Sequence, residues 1–450
     1  MTRTPKPGPG NLPPRIVAPP PGRASRSLSD RLAGTESRNV TYRSREFPIF
    51  WKKARGSNVW DPDGNRYVDL TAGFGVAAAG HGNRRVVAAI RRQLGRQLHG
   101  LGDVHPPVAK VRLLDGLARL APWPEARIIL GTSGSEAVEA ALKTARLATG
   151  RPGALAFTGG YHGLTYGALA LTDREHFRGP FADQLNPHVV RAPFPEGPDA
   201  DADGALAAVD AVLDTPEGER VGCVVVEPIQ GRGGIVEPPA GFLPGLAERC
   251  RRAGMLLVFD EIYTGCGRTG AWFALEHEGV VPDLLCLGKG MSGALPVSAC
   301  LGPADVMDVW PASGGEAIHT STFLGNPLAC AGAAAQLREI GRRGLPARAA
   351  EVGSAWRDAL AGLADRHPAV RRVRGRGLML GLELVEPGSG RPATELARRL
   401  VLAALRRGWI VLADGPDANV LSLTPPLTIA EDVLARATRM LDELLAELLA

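Results

Sequence analysis

No stretch of this chain comes near the ~18 to 20 uncharged apolar residues that a bilayer-spanning helix needs, and the amino terminus lacks the apolar segment of a secretory signal. A soluble protein that is not exported is expected. Cysteine is scarce and unpaired. The six cysteines, at 223, 250, 266, 286, 300 and 330, form no C-x-x-C pair, and several fall in apolar runs where Cys acts as a small buried hydrophobe. A reducing cytoplasm fits this usage, and no metal centre is called for. Charge of one sign is lacking as well: Lys+Arg 52 against Asp+Glu 47 leaves +5, with the arginines scattered or doubled, so nucleic-acid binding is not indicated. The nearest basic patch, R-R-V-R-G-R at 371–376, has no interleaved aromatics and leads into the strand-like L-M-L-G-L-E-L. It reads as a solvated strand edge.

Lysine is the most telling scarcity. Only Lys6, Lys52, Lys53, Lys110, Lys143 and Lys289 occur, while most positive charge is arginine. Arginine cannot give up its proton, whereas a desolvated lysine can become the neutral amine that forms a Schiff base. A lysine kept among arginines is therefore a candidate for chemistry.

What is present is a chain of 450 residues and 45% apolar content, enough for a large core and two or three domains. Its organising stretch is Met255 to Cys300. Leu256 to Phe259 and Leu284 to Leu287 have the length of buried parallel strands, and each is closed by a polar, Gly-containing turn. Asp260 and Lys289 therefore stand at strand ends, on the sheet edge where open parallel sheets bind ligands. They read as two groups addressing one ligand, not as a salt bridge. Pyridoxal phosphate needs such an amine, and also a carboxylate at its ring nitrogen to keep the pyridinium electron sink protonated. Taken singly, Lys289 reads more readily as a solvated turn residue and Asp260 as a helix cap; the two together with the motifs below outweigh that reading.

Further along the chain, R-I-I-L, then G-T-S-G-S-E, then a helix from Glu136 gives a strand, a small-residue turn and a helix amino terminus, which together form an anion site. Gly134 and Ser135 are assigned to the phosphate. The turn matches neither the P-loop nor G-x-G-x-x-G. Tyr161, after two glycines at the end of A-L-A-F, presents an aromatic face to the ring, with His162 beside it. Glu227 ends the strand C-V-V-V and joins the acidic lining. The region 58–70 reads as a hairpin turning at Asp63-Gly64, with helices expected to begin near Ser29, over 83–99 and over 106–120. Residues 1–24 hold too much Pro and Gly for a helix. The first dozen are expected to be disordered, with Ile16 to Pro21 as an extended strap on a partner subunit. Beyond 335 come long helices, the strand-like V-R-G-R-G-L-M-L-G-L-E-L and W-I-V-L, and a closing helix from Glu431.

The stretches V-E-P-I-Q-G (226–231), F-D-E-I-Y-T-G-C-G-R-T-G (259–270), L-G-K-G (287–290) and T-F-L-G-N-P-L-A (322–329) resemble class III, ornithine/4-aminobutyrate aminotransferase-like, pyridoxal-phosphate enzymes. The match runs from about Val59 to Leu427. The resemblance implies an α/β protein of fold type I. A large domain at 76–334 would hold a mostly parallel seven-stranded sheet, and a small α/β domain would be built from 25–75 and 335–450. It implies transamination between an amine and a 2-oxo acid or aldehyde, with Lys289 as tether and general base. It makes Ile262 a cofactor contact, Phe74 a pocket residue, and Thr322 a contact to the phosphate of the neighbouring subunit in a homodimer. Decarboxylases, racemases and aminomutases of the same superfamily, or an inactive binding protein on this fold, remain alternatives.

Three positions depart from the family pattern. Ser422, in N-V-L-S-L-T-P-P, stands where many members carry an arginine that grips a substrate carboxylate; Arg232 replaces a glutamate, and Tyr263 replaces a glutamine. All three are candidate substrate residues, and Arg232 reads equally as the replacement carboxylate anchor or as a structural residue paired with Glu227, Glu237 or a subunit neighbour.

Overall fold

The computed structural model describes residues 10–197 and 199–450. Its centre is a seven-stranded sheet in the spatial order Ala126–Gly131, Ser298–Pro303, Leu284–Leu287, Leu256–Asp260, Val221–Val226, Gly153–Phe157, Val189–Ala192. Neighbours run parallel except around Ser298–Pro303, which is antiparallel to the strands on both sides. Every residue of Val221–Val226 and Leu284–Leu287 is buried, the signature of strands covered on both faces. On one face the alanine-rich helix Gly134–Thr149 packs Ala137, Val138 and Ala141 over Cys223, Val258 and Cys286. On the other, Phe157, Phe242, Leu246 and Phe259 join the main core. Each such Leu or Phe removed from water contributes roughly 1.5–3 kcal/mol. Parallel strands deliver their carboxyl ends to one edge, so Phe157, Val226, Asp260 and Leu287 terminate together.

The two ends of the chain share a second sheet. The hairpin Asn58–Trp60 with Arg66–Asp69 forms around Asp63-Gly64 as read, and Trp409–Ile410 runs parallel to Arg66–Asp69. A third sheet has the order Val370–Arg376, Met379–Leu384, Val420–Leu423, Leu412–Asp414. Two sequence readings are corrected here. W-I-V-L is not one strand: Trp409–Ile410 and Leu412–Asp414 belong to different sheets. V-R-G-R-G-L-M-L-G-L-E-L folds back at Gly377-Leu378 into an antiparallel pair. The arginine patch does lie on an edge strand, and two glutamates offset part of its charge: Arg372 and Arg374 converge on Glu383 at 2.7 and 2.6 Å, and Arg376 pairs with Glu237.

The amino-terminal segment also differs from expectation. Leu12 donates its amide to Asn58 Oδ1 at 2.8 Å, and Val17 and Ala18 donate theirs to Asn65 Oδ1 at 2.8 and 3.0 Å. The strap therefore docks on this chain's own hairpin, which supplies the side-chain acceptors, and residues 10–12 have a defined path. The expectation for residues 1–9 lies outside the described residues. The first helix, Arg23–Ala33, begins ahead of Ser29. Its exposed first-turn amides are met from elsewhere in the chain: Asp63 accepts from the amides of Ala24 and Ser25 at 2.7 and 2.9 Å and from the Ser25 hydroxyl at 2.7 Å, doing the work of an N-cap. No helix among the described residues is long and apolar enough to cross a membrane.

Candidate active site

At the carboxyl edge of the central sheet lies a cleft of about 330 Å³ lined by Gly134, Ser135, Tyr161, His162, Glu227, Asp260, Ile262, Tyr263 and Lys289. These are nine of the residues singled out from sequence. A larger cleft of about 470 Å³ opens elsewhere, beside Glu139, Lys143, Arg151 and Trp310. It holds no acid or amine from a strand end of the central sheet, so chemistry, not size, marks the site.

Asp260 and Lys289 reach the cleft from neighbouring parallel strands, with Asp260 in register with Cys286. Asp260 is 3% exposed. One of its oxygens meets His162 Nδ1 at 2.7 Å and the other accepts the Ile262 amide at 3.1 Å. Burial disfavours a charged His162, yet the Asp260 carboxylate outweighs it and raises the imidazole pKa. The pair thus keeps a negative charge fixed in direction on the cleft floor. Lys289 makes no ion pair with it. Its Nζ lies 4.5 Å from the Tyr263 ring centroid, and burial lowers its pKa against the opposing pull of Asp260 and Glu227. The lysine is thereby brought toward the neutral amine that a nucleophile needs. Its backbone sits at φ +28°, where a side-chain-bearing residue costs of order 1–3 kcal/mol and persists only where the surroundings enforce it.

The helix Gly134–Thr149 also begins at the cleft, with Ser133 as N-cap accepting the Glu136 amide at 3.3 Å. The first-turn amides of Gly134 and Ser135 have no intrahelical acceptor by construction, and the Ser133 and Ser135 hydroxyls stand 3.1 Å apart beside them. Amides, hydroxyls and helix dipole make that helix start fit a phosphate. The cleft is further lined by Tyr161 and the buried Glu227, whose oxygens accept the amides of Tyr161 and Gly231, each at 2.9 Å. Burial pushes the Glu227 carboxyl up to about 7, opposed by His162 and aided by Asp260. The other acid of the D-E pair, Glu261, faces away: it accepts the amides of Ala274 and Leu275 at 2.6 and 2.8 Å and holds a turn together. An anion cradle, an aromatic face, a fixed carboxylate and a perturbed lysine are the set of groups that pyridoxal phosphate requires.

The substrate side is assembled differently from the sequence reading. Arg232 pairs with neither Glu227 nor Glu237. Its guanidinium carbon lies 5.1 Å from the Tyr161 ring centroid and 5.9 Å from that of Phe177, and its Nε is 3.5 Å from Asp414 Oδ1. Arg174 binds the carbonyls of Arg232 and Gly415 and so ties the two loops together. Nothing in the local sequence distinguishes Asp414, Arg174 and Phe177; only the fold brings them to Arg232. Tyr263 donates to or accepts from Thr424 Oγ1 at 3.0 Å. Its ring fills the space that a Cβ at Gly75 or Gly231 would need, at 2.7 and 2.3 Å. Ser422 is buried, with its hydroxyl beside the Asp414 carboxyl and the Tyr263 phenol. Phe74, 58% exposed, the exposed Thr322, Arg232 and Ser422 do not line this cleft within one chain; Arg232 stands behind its Tyr161 wall.

Residues 40–445 match the family model described as aminotransferase class-III. The chain is 36% identical over 444 residues to a 4-aminobutyrate aminotransferase of Mycobacterium leprae, covering 96% of this chain and 98% of that one. It is 38% identical over 393 residues to an acetylornithine aminotransferase of Methanopyrus kandleri, covering 87% and 92%. Among solved structures, a PLP-bound amine transaminase from an uncultivated Pseudomonas species superposes with a TM-score of 0.83 at 30% identity, covering 92% of this chain and 98% of that one.

Proposed function

The chain belongs to the class-III aminotransferases, pyridoxal-phosphate-dependent enzymes of the fold type I architecture, and we propose that the cleft at the carboxyl edge of its central sheet is where it moves an amino group from donor to acceptor. The observation that carries this assignment is the placing of a His162-supported Asp260 and a pKa-depressed Lys289 on adjacent strand ends. Bound there, pyridoxal phosphate supplies the electron sink that stabilises negative charge on the substrate's α-carbon. Gly134 and Ser135 would hold its phosphate, Tyr161 and Ile262 would bound its ring, and the Asp260 carboxylate would keep its ring nitrogen protonated. His162 holds Asp260 in position. Lys289 would tether the cofactor through its Nζ and, as a neutral amine, would move the proton at the substrate carbon. Glu227 fixes the backbone of Tyr161 and Gly231, and so the wall between ring and substrate.

The active unit in this reading is a homodimer of two domains per subunit, divided at about 76 and 334, working in the cytoplasm. Two features support the dimer. Phe74 and Thr322 stand outside the cleft of their own chain, and Leu98, Leu101, Val104, Val108 and Phe323 are all more than half exposed, an apolar set that a second copy would cover. Lys289→Ala and Thr322→Ala proteins, each impaired alone, are expected to regain activity when mixed under subunit exchange, because one site in every heterodimer is then fully native. A fully active monomer in sedimentation would end the idea.

The relatives named for 4-aminobutyrate and acetylornithine suggest substrates that carry a carboxylate. With serine at 422, the fork that matches it is Arg232, half-buried on the Tyr161 face. A charge-assisted pair of this kind is worth roughly 1.5–3 kcal/mol. Arg232→Gln is therefore expected to lower kcat/KM about ten- to hundredfold for carboxylate-bearing amines while sparing uncharged amines of similar size. Equal loss for both substrate kinds would make Arg232 a structural residue.

A further inference from the structure

Another cleft stands out by its charge. About 470 Å³ in volume, it opens between the edge strand Lys53–Arg55 and the helix Arg84–Leu94, and its charged lining is Lys53, Arg55, Arg84 and Arg91 with no acidic residue. It shares no residue with the cofactor cleft. Elsewhere the chain sets arginines against acids: Arg249 meets Asp210 at 2.7 Å, Arg374 meets Glu383 at 2.6 Å, and Arg85, next to Arg84 but outside the cleft, has Glu339 at 3.4 Å. The four cations of this cleft have neither an ion pair nor a side-chain hydrogen bond among the described residues; Lys53 meets only the Trp60 ring, 4.9 Å from its centroid. Residues 1–9 hold Arg3 and Lys6 and no acid, so they bring no counter-charge.

The helix start is a second, independent sign. Arg84–Leu94 opens on two arginines with no acid in its first turn, against a macrodipole that favours anions there. Arg84 therefore stands where a cation costs stability, and an anion in front of it would offset both the dipole and the mutual repulsion of the cluster. Asn83 already caps the turn by accepting the amides of Arg85 and Val86 at 3.0 and 3.3 Å, which leaves the holding of a ligand to the side chains. Arg84 and Arg91 are two turns apart on one face, about 10 Å along the helix axis, so one compact anion cannot engage both and a chain of charged groups can. From this arrangement we infer that the cleft binds a short phosphate chain, either inorganic or carried by a nucleoside. The guanidinium fork matches phosphate oxygens bidentately, a phosphate group carries more charge than a carboxylate, and the volume lies within the roughly 300–1,000 Å³ of small-molecule sites. Such a chain is neither donor nor acceptor in transamination, so the site stands apart from turnover.

Inorganic triphosphate, added to the holoenzyme in magnesium-free buffer at physiological ionic strength, should bind saturably in calorimetry and raise the melting temperature. Citrate, whose charges are all carboxylates, should bind at least about tenfold more weakly. Arg84→Gln and Arg91→Gln should each weaken triphosphate binding about tenfold, the loss of one charge-assisted contact, and the double variant should show no melting shift. Transamination in all three should stay at the parent's rate, because neither residue lines the cofactor cleft; that rate also shows that the variants are folded. Arg92→Gln, on the same helix but outside the cleft, should bind triphosphate as the parent does. ATP binding more tightly than triphosphate assigns the chain to a nucleoside, and equal or weaker binding assigns it to inorganic polyphosphate. No saturable binding to the parent, citrate binding as tight as triphosphate, or parent-like binding in the double variant overturns the inference.

Discussion

Replacing Lys289 with alanine is expected to reduce transamination by several orders of magnitude while leaving the fold and noncovalent cofactor binding in place. General acid–base action alone accounts for roughly 10²- to 10⁴-fold, and here the same side chain is proposed both to tether the cofactor and to carry the proton, so the losses compound. Alanine inherits the φ of +28° with the same Cβ, which leaves the backbone strain unrelieved and melting temperature close to the parent's. Two measurements check this. Single-turnover rates with an amine donor should collapse, and borohydride reduction followed by mass spectrometry should fix the cofactor to residue 289 of the parent and nowhere in the variant. A variant that turns over at near-normal rate, or a label on another residue, would remove Lys289 from its proposed role.

The second large effect is expected at Asp260. Asparagine has nearly the same shape and still accepts the Ile262 amide, but it loses the charge proposed to face the ring nitrogen. At an effective dielectric near 20, two unit charges about 4 Å apart interact by ~4 kcal/mol, so kcat at saturating cofactor should fall by roughly three decades. The loss spreads to His162, whose raised pKa depends on this carboxylate. Without it burial prevails, the imidazole pKa falls, and a histidine resonance that stays protonated in the parent as pH rises through the ordinary imidazole range should titrate at lower pH in Asp260→Asn. Full activity in the variant would mean that some other group faces the nitrogen.

The parts of the site that could be read from sequence are those whose chemistry and local structure coincide. Asp260 and Lys289 each close a short apolar run, so strand end and reactive group are announced by the same few residues. Gly134 and Ser135 open a helix directly after a strand. The parts that could not be read depend on contacts between distant segments. Asp414 follows an unremarkable apolar run, and nothing near it announces Arg232. The helix at Arg23 starts early because Asp63, in a hairpin turn, caps it, and no local pattern encodes a cap supplied from another element. W-I-V-L looks like one strand because periodicity reports burial, not which sheet does the burying. Thr322 and Phe74 were named through family resemblance alone, and within one chain neither joins the cleft.

Tyr263 also bears on how such a chain can change over generations. Its ring occupies the room that side chains at 75 and 231 would need. While the tyrosine stays, neither glycine can accept even a methyl group without displacing it. Gly75 is held twice over, because its φ of +81° disfavours a side chain whatever stands at 263, whereas the nearest neighbours of Gly231 all belong to that ring. The order of mutations then matters at 231: a lineage with glutamine at 263 would first regain freedom there, whereas one that altered the glycine first would pass through a crowded, impaired intermediate. Variant libraries that randomise 75 or 231 alone should therefore return almost only glycine. Libraries that vary 231 together with 263 should recover larger residues at 231, paired with a smaller partner at 263, while 75 stays glycine.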